Sequence, residues 1–110
     1  MKKLFVIIPI LFSILMGNPY SEGFKFYKEA KRALRSGNTS DAESLFLQAK
    51  MKFEISATKN NSSQAFLKLA ELYCNGWGIS QNKSIAKKYM SQAQKLGASF
   101  ISNKCLKNLK

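Results

Sequence analysis

Apolar residues recur at helical spacing through most of this chain, and that period constrains the fold more than any other feature. In several segments they fall at i, i+3, i+4 and i+7, which places them on one face of an α-helix, and no strand-like alternation is sustained. We therefore predict an all-α protein. Its helices are expected over residues 22–36, 40–53, 63–74, 83–96 and 98–109.

Turn-forming and capping residues separate the predicted helices. Gly37 is expected to end the first helix, because glycine adopts a left-handed backbone at low cost. Either Thr39 or Ser40 is expected to cap the second helix through its side-chain oxygen. Asn82 is expected to cap the fourth helix, and Gly97 to end it.

Short turns join the helices in pairs. Only a few residues separate the first two predicted helices, so residues 22–53 are expected to pack as one antiparallel hairpin. A polar run over residues 54–63 predicts a loop, and residues 64–97 form the second hairpin. Residues 98–110 are predicted to form a C-terminal capping helix. The hairpins repeat at about 36 residues, a period typical of a short α-solenoid.

Residues 1–21 are predicted to form a signal peptide. Two lysines precede an apolar run over residues 4–16, which spans about 20 Å at roughly 1.5 Å per residue and is shorter than a hydrocarbon core of about 30 Å. Gly17 and Ser21 are both candidates for the last residue before the cut. We expect an exported, periplasmic or secreted protein, and an uncleaved N-terminal anchor is the alternative.

Basic residues outnumber acidic ones by 18 to 6, and seven lysines follow Glu71 without another acidic residue. Such an excess favours an acidic protein partner or an anionic membrane surface. A solvated basic face without a ligand is the alternative interpretation. Nucleic acid is not expected as a partner, because the chain has two arginines and no interleaving of basic and aromatic residues.

Histidine is absent and there are two cysteines. This composition excludes ordinary zinc sites, which need about four Cys or His ligands, and it excludes Ser–His or Cys–His catalytic pairs. We therefore assign no catalytic, cofactor-binding or metal-ligating residue and no cofactor.

Small, apolar and glycine residues in the second hairpin stand at the spacing of a known repeat. They are Ala65, Leu69, Ala70, Tyr73, Gly76, Gly78, Ile79, Asn82, Ala86, Tyr89, Ala93 and Gly97. This pattern resembles the Sel-one-like repeat (SLR), a relative of the tetratricopeptide repeat (TPR), with mild departures such as Ala70 where the family has glycine. Residues 22–53 are similar to a TPR, less specifically, at five positions: Ala30, Gly37, Ala42, Phe46 and Ala49.

The resemblance implies a TPR/SLR-like solenoid that binds another protein on a concave face built from the first helix of each pair. Stacked first helices would also bring Cys74 near Cys105, which makes this pair a disulfide candidate. The repeat register places Cys105 opposite Leu69 instead, so two free thiols are the alternative. Trp77 is expected either to pack over the core, the role we favour, or to be an exposed contact.

We therefore predict an exported protein–protein interaction adaptor with no chemistry of its own. One alternative is an SLR protein of the cysteine-containing type catalogued as secreted beta-lactamases, and another is a basic protein that binds the envelope surface. Ser-x-x-Lys begins at Ser56, Ser80 and Ser84, yet no Ser-Asp-Asn or Lys-Thr-Gly motif accompanies it and no Glu follows Glu71. The residues thus do not support hydrolase chemistry.

Overall fold

The computed structural model describes residues 18–109, and the apolar run assigned to the signal peptide lies outside this range. The α-helix is the only regular secondary structure in these residues, which confirms the predicted all-α class. In chain order they are α1 (Pro19–Arg35), α2 (Thr39–Asn60), α3 (Ser63–Asn75), α4 (Lys83–Lys95) and α5 (Lys104–Lys107). Within residues 18–109, none of these helices has both the length and the apolar character to cross a membrane.

The start of α1 lies three residues before the predicted one. Asn18 caps the helix, because its side-chain oxygen accepts a hydrogen bond from the Tyr20 backbone N–H at 2.8 Å, and Pro19 occupies the first helical position. The boundary that we placed at Ser21 therefore falls inside a helix. Gly37, at φ +83°, turns the chain after α1 as predicted.

Two predictions about α2 are wrong. Its cap is Asn38, whose side chain accepts a hydrogen bond from Asp41 N–H at 3.3 Å, rather than Thr39 or Ser40. The loop predicted over residues 54–63 is helical as far as Asn60, because Ser56 and the alanine after it continue the buried face of α2. The polar sequence of residues 54–63 does not by itself indicate that these two residues are buried.

The helices pack in chain order as two pairs that share a core. α1 packs along α2, α3 packs along α4, and α2 packs against α3. One cluster of buried side chains joins α1, α2 and α3, and its largest members are Tyr27, Phe46, Phe53, Leu69 and Leu72. A second cluster joins α3, α4 and the C-terminal segment. Since α3 contributes to both clusters, it couples the two helix pairs.

The C-terminal capping helix predicted over residues 98–110 is mostly absent from the described part of the chain. Only Lys104–Lys107 is helical, while residues 98–103 form neither helix nor strand. Asn103 caps α5 by accepting a hydrogen bond from Leu106 N–H at 3.2 Å. Leu106 is buried in the second core cluster. The segment therefore covers the end of the core, although a short turn rather than a long helix does so.

A disulfide between Cys74 and Cys105 ties this segment to α3, with their Cα atoms 6.1 Å apart. The predicted pair is thus bridged, and the alternative of two free thiols does not hold. Asn75 reinforces the connection by donating a hydrogen bond to the Asn103 side chain at 3.3 Å. These two links hold the start of α5 against the C-terminal end of α3.

Candidate binding groove

The residues of the SLR-like pattern hold the helices together. Four alanines, Ala65, Ala70, Ala86 and Ala93, are fully buried and let helix backbones approach closely. Leu69 fills the first core cluster, and half-buried Ile79 packs against it. The rings of Tyr73 and Tyr89 contact each other with centroids 5.7 Å apart.

The glycines of the pattern serve turns. Gly76 and Gly97 follow α3 and α4 at φ +68° and +104°. Gly78, at φ +74°, lies so close to α2 that an added Cβ would stand 2.6 Å from the Cβ of Phe46. Asn82 caps α4 as predicted, accepting a hydrogen bond from Ile85 N–H at 3.0 Å. These residues thus pack the helices, form the turns after them or cap α4.

Trp77 packs on the core between Gly76 and Gly78. Its ring stacks on Phe46 with centroids 5.3 Å apart and meets the edge of Tyr27 at 6.1 Å. This is the packing role that we favoured for Trp77.

An open groove of about 580 Å³ lies between α1, α3 and residues 102–104. We call it the basic groove, because six of its lining residues are cationic and one is acidic. The acidic residue is Glu71. The cationic residues are Lys28, Lys31, Arg32 and Arg35 from α1, Lys68 from α3 and Lys104 from the C-terminal segment.

The four cations of α1 form one row. They stand at i, i+3, i+4 and i+7, so they share a helix face and span roughly 10.5 Å at 1.5 Å per residue. The predicted basic excess after Glu71 contributes only Lys104 to the groove. The sequence signal for this site is the spacing of the basic residues in α1.

Aromatic rings hold two lysines at the floor of the basic groove. The Lys31 ammonium lies 5.4 Å from the ring centroids of both Tyr27 and Trp77. The Lys68 ammonium lies 4.6 Å from the Tyr27 centroid and 5.5 Å from that of Phe24. Such cation–π contacts restrict both side chains before any ligand binds.

A buried hydrogen bond joins the groove floor to the core. The Tyr27 hydroxyl donates to the Glu71 carboxylate at 2.9 Å, and the Lys68 ammonium contacts the same carboxylate oxygen at 3.2 Å. Burial raises the pKa of Tyr27, and the charge of Glu71 raises it further, so the hydroxyl keeps its proton. Glu71 is thus satisfied within the protein.

The remaining groove cations have no carboxylate partner in the described range. Residues 18–109 contain all six acidic side chains, and the salt bridges among them are Lys50–Glu54, Lys52–Glu22 and Lys68–Glu71. Five of the six groove cations therefore lack a carboxylate within 4.0 Å in this part of the chain. The groove carries a concentrated, uncompensated positive charge.

The serines of the three Ser-x-x-Lys matches do not line the basic groove. Ser56 is 1% exposed inside α2, while Ser80 and Ser84 lie on the surface and do not line the basic groove. Between residues 18 and 109, His, Cys, Asp and Glu side chains form no group of three that could hold a metal ion.

No protein-family model matches this chain, and no curated protein or solved structure matches it significantly.

Proposed function

We propose that this protein is an exported interaction adaptor whose basic groove binds a segment of a partner protein. The groove itself carries the proposal, because five cations with no carboxylate partner among residues 18–109 face one concave surface. A volume of about 580 Å³ is within the range of roughly 300–1,000 Å³ common for ligand pockets.

The arrangement of the helices supports a TPR/SLR-like solenoid as the scaffold. In such a solenoid the first helix of each pair lines the concave face. Here the first helices are α1 and α3, and both line the basic groove, while α2 and α4 do not contribute to it. The alanines and glycines that resemble the repeat pack α3 on its neighbours and so keep the groove walls in place.

The envelope-surface alternative also has an observation in its favour. Lysines on and after α4, namely Lys83, Lys87, Lys88, Lys95 and Lys107, are exposed and suit an anionic membrane. They lie outside the basic groove, so the two functions use different residues and can be tested separately.

Site-specific photo-crosslinking tests the adaptor function. A benzophenone amino acid at Ser102, which is exposed and lines the groove, is expected to yield a discrete adduct with an envelope protein in cells of the native organism. The same amino acid at Ser91, exposed on α4 and outside the groove, is the matched control. Equal adducts from both positions, or none from Ser102, would contradict the proposal.

A further inference from the structure

We infer that the ligand of the basic groove is an extended acidic peptide segment whose carboxylates alternate along its sequence. The inference rests on the proposed adaptor function and names the kind of partner that the groove fits. It depends on three observations: the cation row of α1, the two levels at which the cations stand, and the depth of the Lys68 ammonium.

The cation row sets the spacing of the ligand's charges. It spans roughly 10.5 Å along α1, whereas an extended chain rises about 3.3 Å per residue and points alternate side chains to one side. Acidic residues at i and i+2 of the ligand would therefore place two carboxylates within the row, about 6.6 Å apart, and a third at i+4 would lie just beyond its end.

The cations stand at two levels, a rim and a floor. Lys28, Arg32, Arg35 and Lys104 are exposed at the rim. None of them contacts a carboxylate of residues 18–109, so their guanidinium and ammonium groups can bind acidic side chains. Lys31 and Lys68 lie at the floor, held by aromatic rings, and at the rim the Lys28 ammonium also lies 5.0 Å from the Phe24 ring centroid. Because aromatic contacts already restrict Lys28 and Lys31, binding a carboxylate to them costs less side-chain entropy than binding to free lysines, while Lys68 is already paired with Glu71.

The depth of the floor favours a peptide over a membrane. The Lys68 side chain is 18% exposed, so a flat layer of headgroups cannot approach it closely. A single chain with projecting carboxylates can enter between α1 and residues 102–104. The exposed lysines on α4 are more accessible to a flat bilayer than the groove floor is. We therefore assign the groove to a peptide.

Calorimetric titration tests this inference with a twelve-residue peptide of alternating Glu and Ser, and with its Gln–Ser counterpart. The Glu–Ser peptide is expected to bind, more weakly at about 300 mM than at about 50 mM salt, and the Gln–Ser peptide is expected not to bind. The double variant Lys28→Gln/Arg32→Gln should lower the affinity about tenfold or more. The control Lys87→Gln/Lys88→Gln removes the same charge from α4 and should change the affinity less than twofold.

Several outcomes would overturn the inference. Equal losses in the two double variants would show that overall charge, not the groove, attracts the peptide. Equal binding of the Gln–Ser peptide would show that carboxylates are not recognised. In sedimentation with phosphatidylglycerol vesicles, loss of binding in the Lys28/Arg32 variant alone, with peptide binding unchanged, would assign the groove to lipid. Circular dichroism of both variants confirms that they are folded.

The outcomes also separate this inference from the proposed function. A partner adduct at Ser102 without binding of the Glu–Ser peptide would leave the adaptor function standing and refute the acidic ligand. Groove-dependent binding of that peptide without an adduct at Ser102 would support the acidic ligand and refute the adaptor function in the native envelope.

Discussion

Tyr27 is the residue at which the core meets the basic groove. Its ring packs against Phe46 and Phe53, with centroids 6.1 and 6.3 Å away, and its hydroxyl donates to the buried Glu71 carboxylate. The same ring lies under two groove lysines. A change at this one side chain therefore affects folding and the groove floor together.

Replacing Tyr27 with Phe should destabilise the protein by roughly 1–3 kcal/mol at neutral pH, because Glu71 loses a buried donor. Since burial raises the pKa of Tyr27 in the folded state, its stabilisation is complete below the unfolded pKa of about 10 and is lost as pH rises above that value. The stability difference between wild type and Tyr27→Phe should therefore shrink by up to about 1.4 kcal/mol per unit above pH 10. Urea unfolding at several pH values measures it, and a constant difference would contradict the raised pKa.

Gly78 and Gly37 form a matched pair for testing the packing of the turn on α2. Both have positive φ, so alanine at either position costs about 1–2 kcal/mol of backbone strain. Only at Gly78 would the new Cβ meet Phe46, since nothing lies within 4 Å at Gly37. Gly78→Ala should therefore cost about 1–3 kcal/mol more than Gly37→Ala in urea unfolding. Equal losses would mean that this turn does not pack as described.

At the scale of the elements, the C-terminal segment depends on its disulfide. Cys105→Ser opens a connection that spans 31 residues, and we expect a loss of about 3–4 kcal/mol. Trypsin should then cleave faster after Lys104 and Lys107, and reduced wild type should behave like the variant. Thermal unfolding and timed proteolysis measure these effects. A variant as stable and as resistant as oxidised wild type would contradict them.

The start of α1 bears on the site of signal cleavage. A cut after Ser21 would remove the Asn18 cap and Tyr20, whose ring lies 5.6 Å from that of Phe53. If the chain is exported, we predict a cut after Gly17 that leaves both residues in place. Mass spectrometry of the exported protein measures its first residue, and a mature chain beginning at Glu22 would contradict the prediction.

The elements that the sequence predicts well are those with a local cause. The ends of α3 and α4 follow from glycines, an asparagine cap and the apolar period, each visible within a few residues. The end of α2 depends on burial of Ser56 by the rest of the protein. The Tyr27–Glu71 hydrogen bond joins residues 44 positions apart, and the basic groove combines three segments, so neither could be predicted from a local pattern.

At the scale of the whole molecule, charge is divided between two surfaces. The basic groove concentrates six cations on the side of α1 and α3, while lysines on α4 form a separate exposed set. The sequence shows the excess of positive charge and the run of seven lysines after Glu71. It does not show which basic residues face one another, because that depends on the fold. This division fits the proposed adaptor, which would bind an acidic segment and still present basic charge to an anionic surface.

The central claim is that an acidic segment binds between α1, α3 and residues 102–104. A titration of the ¹⁵N-labelled protein, residues 18–110, with the Glu–Ser peptide tests it most directly through amide chemical shifts. We predict that the largest changes fall on residues 28–35, 68–71 and 102–104, with small changes over residues 83–95. Changes concentrated on α4, or spread evenly over the surface, would contradict the account.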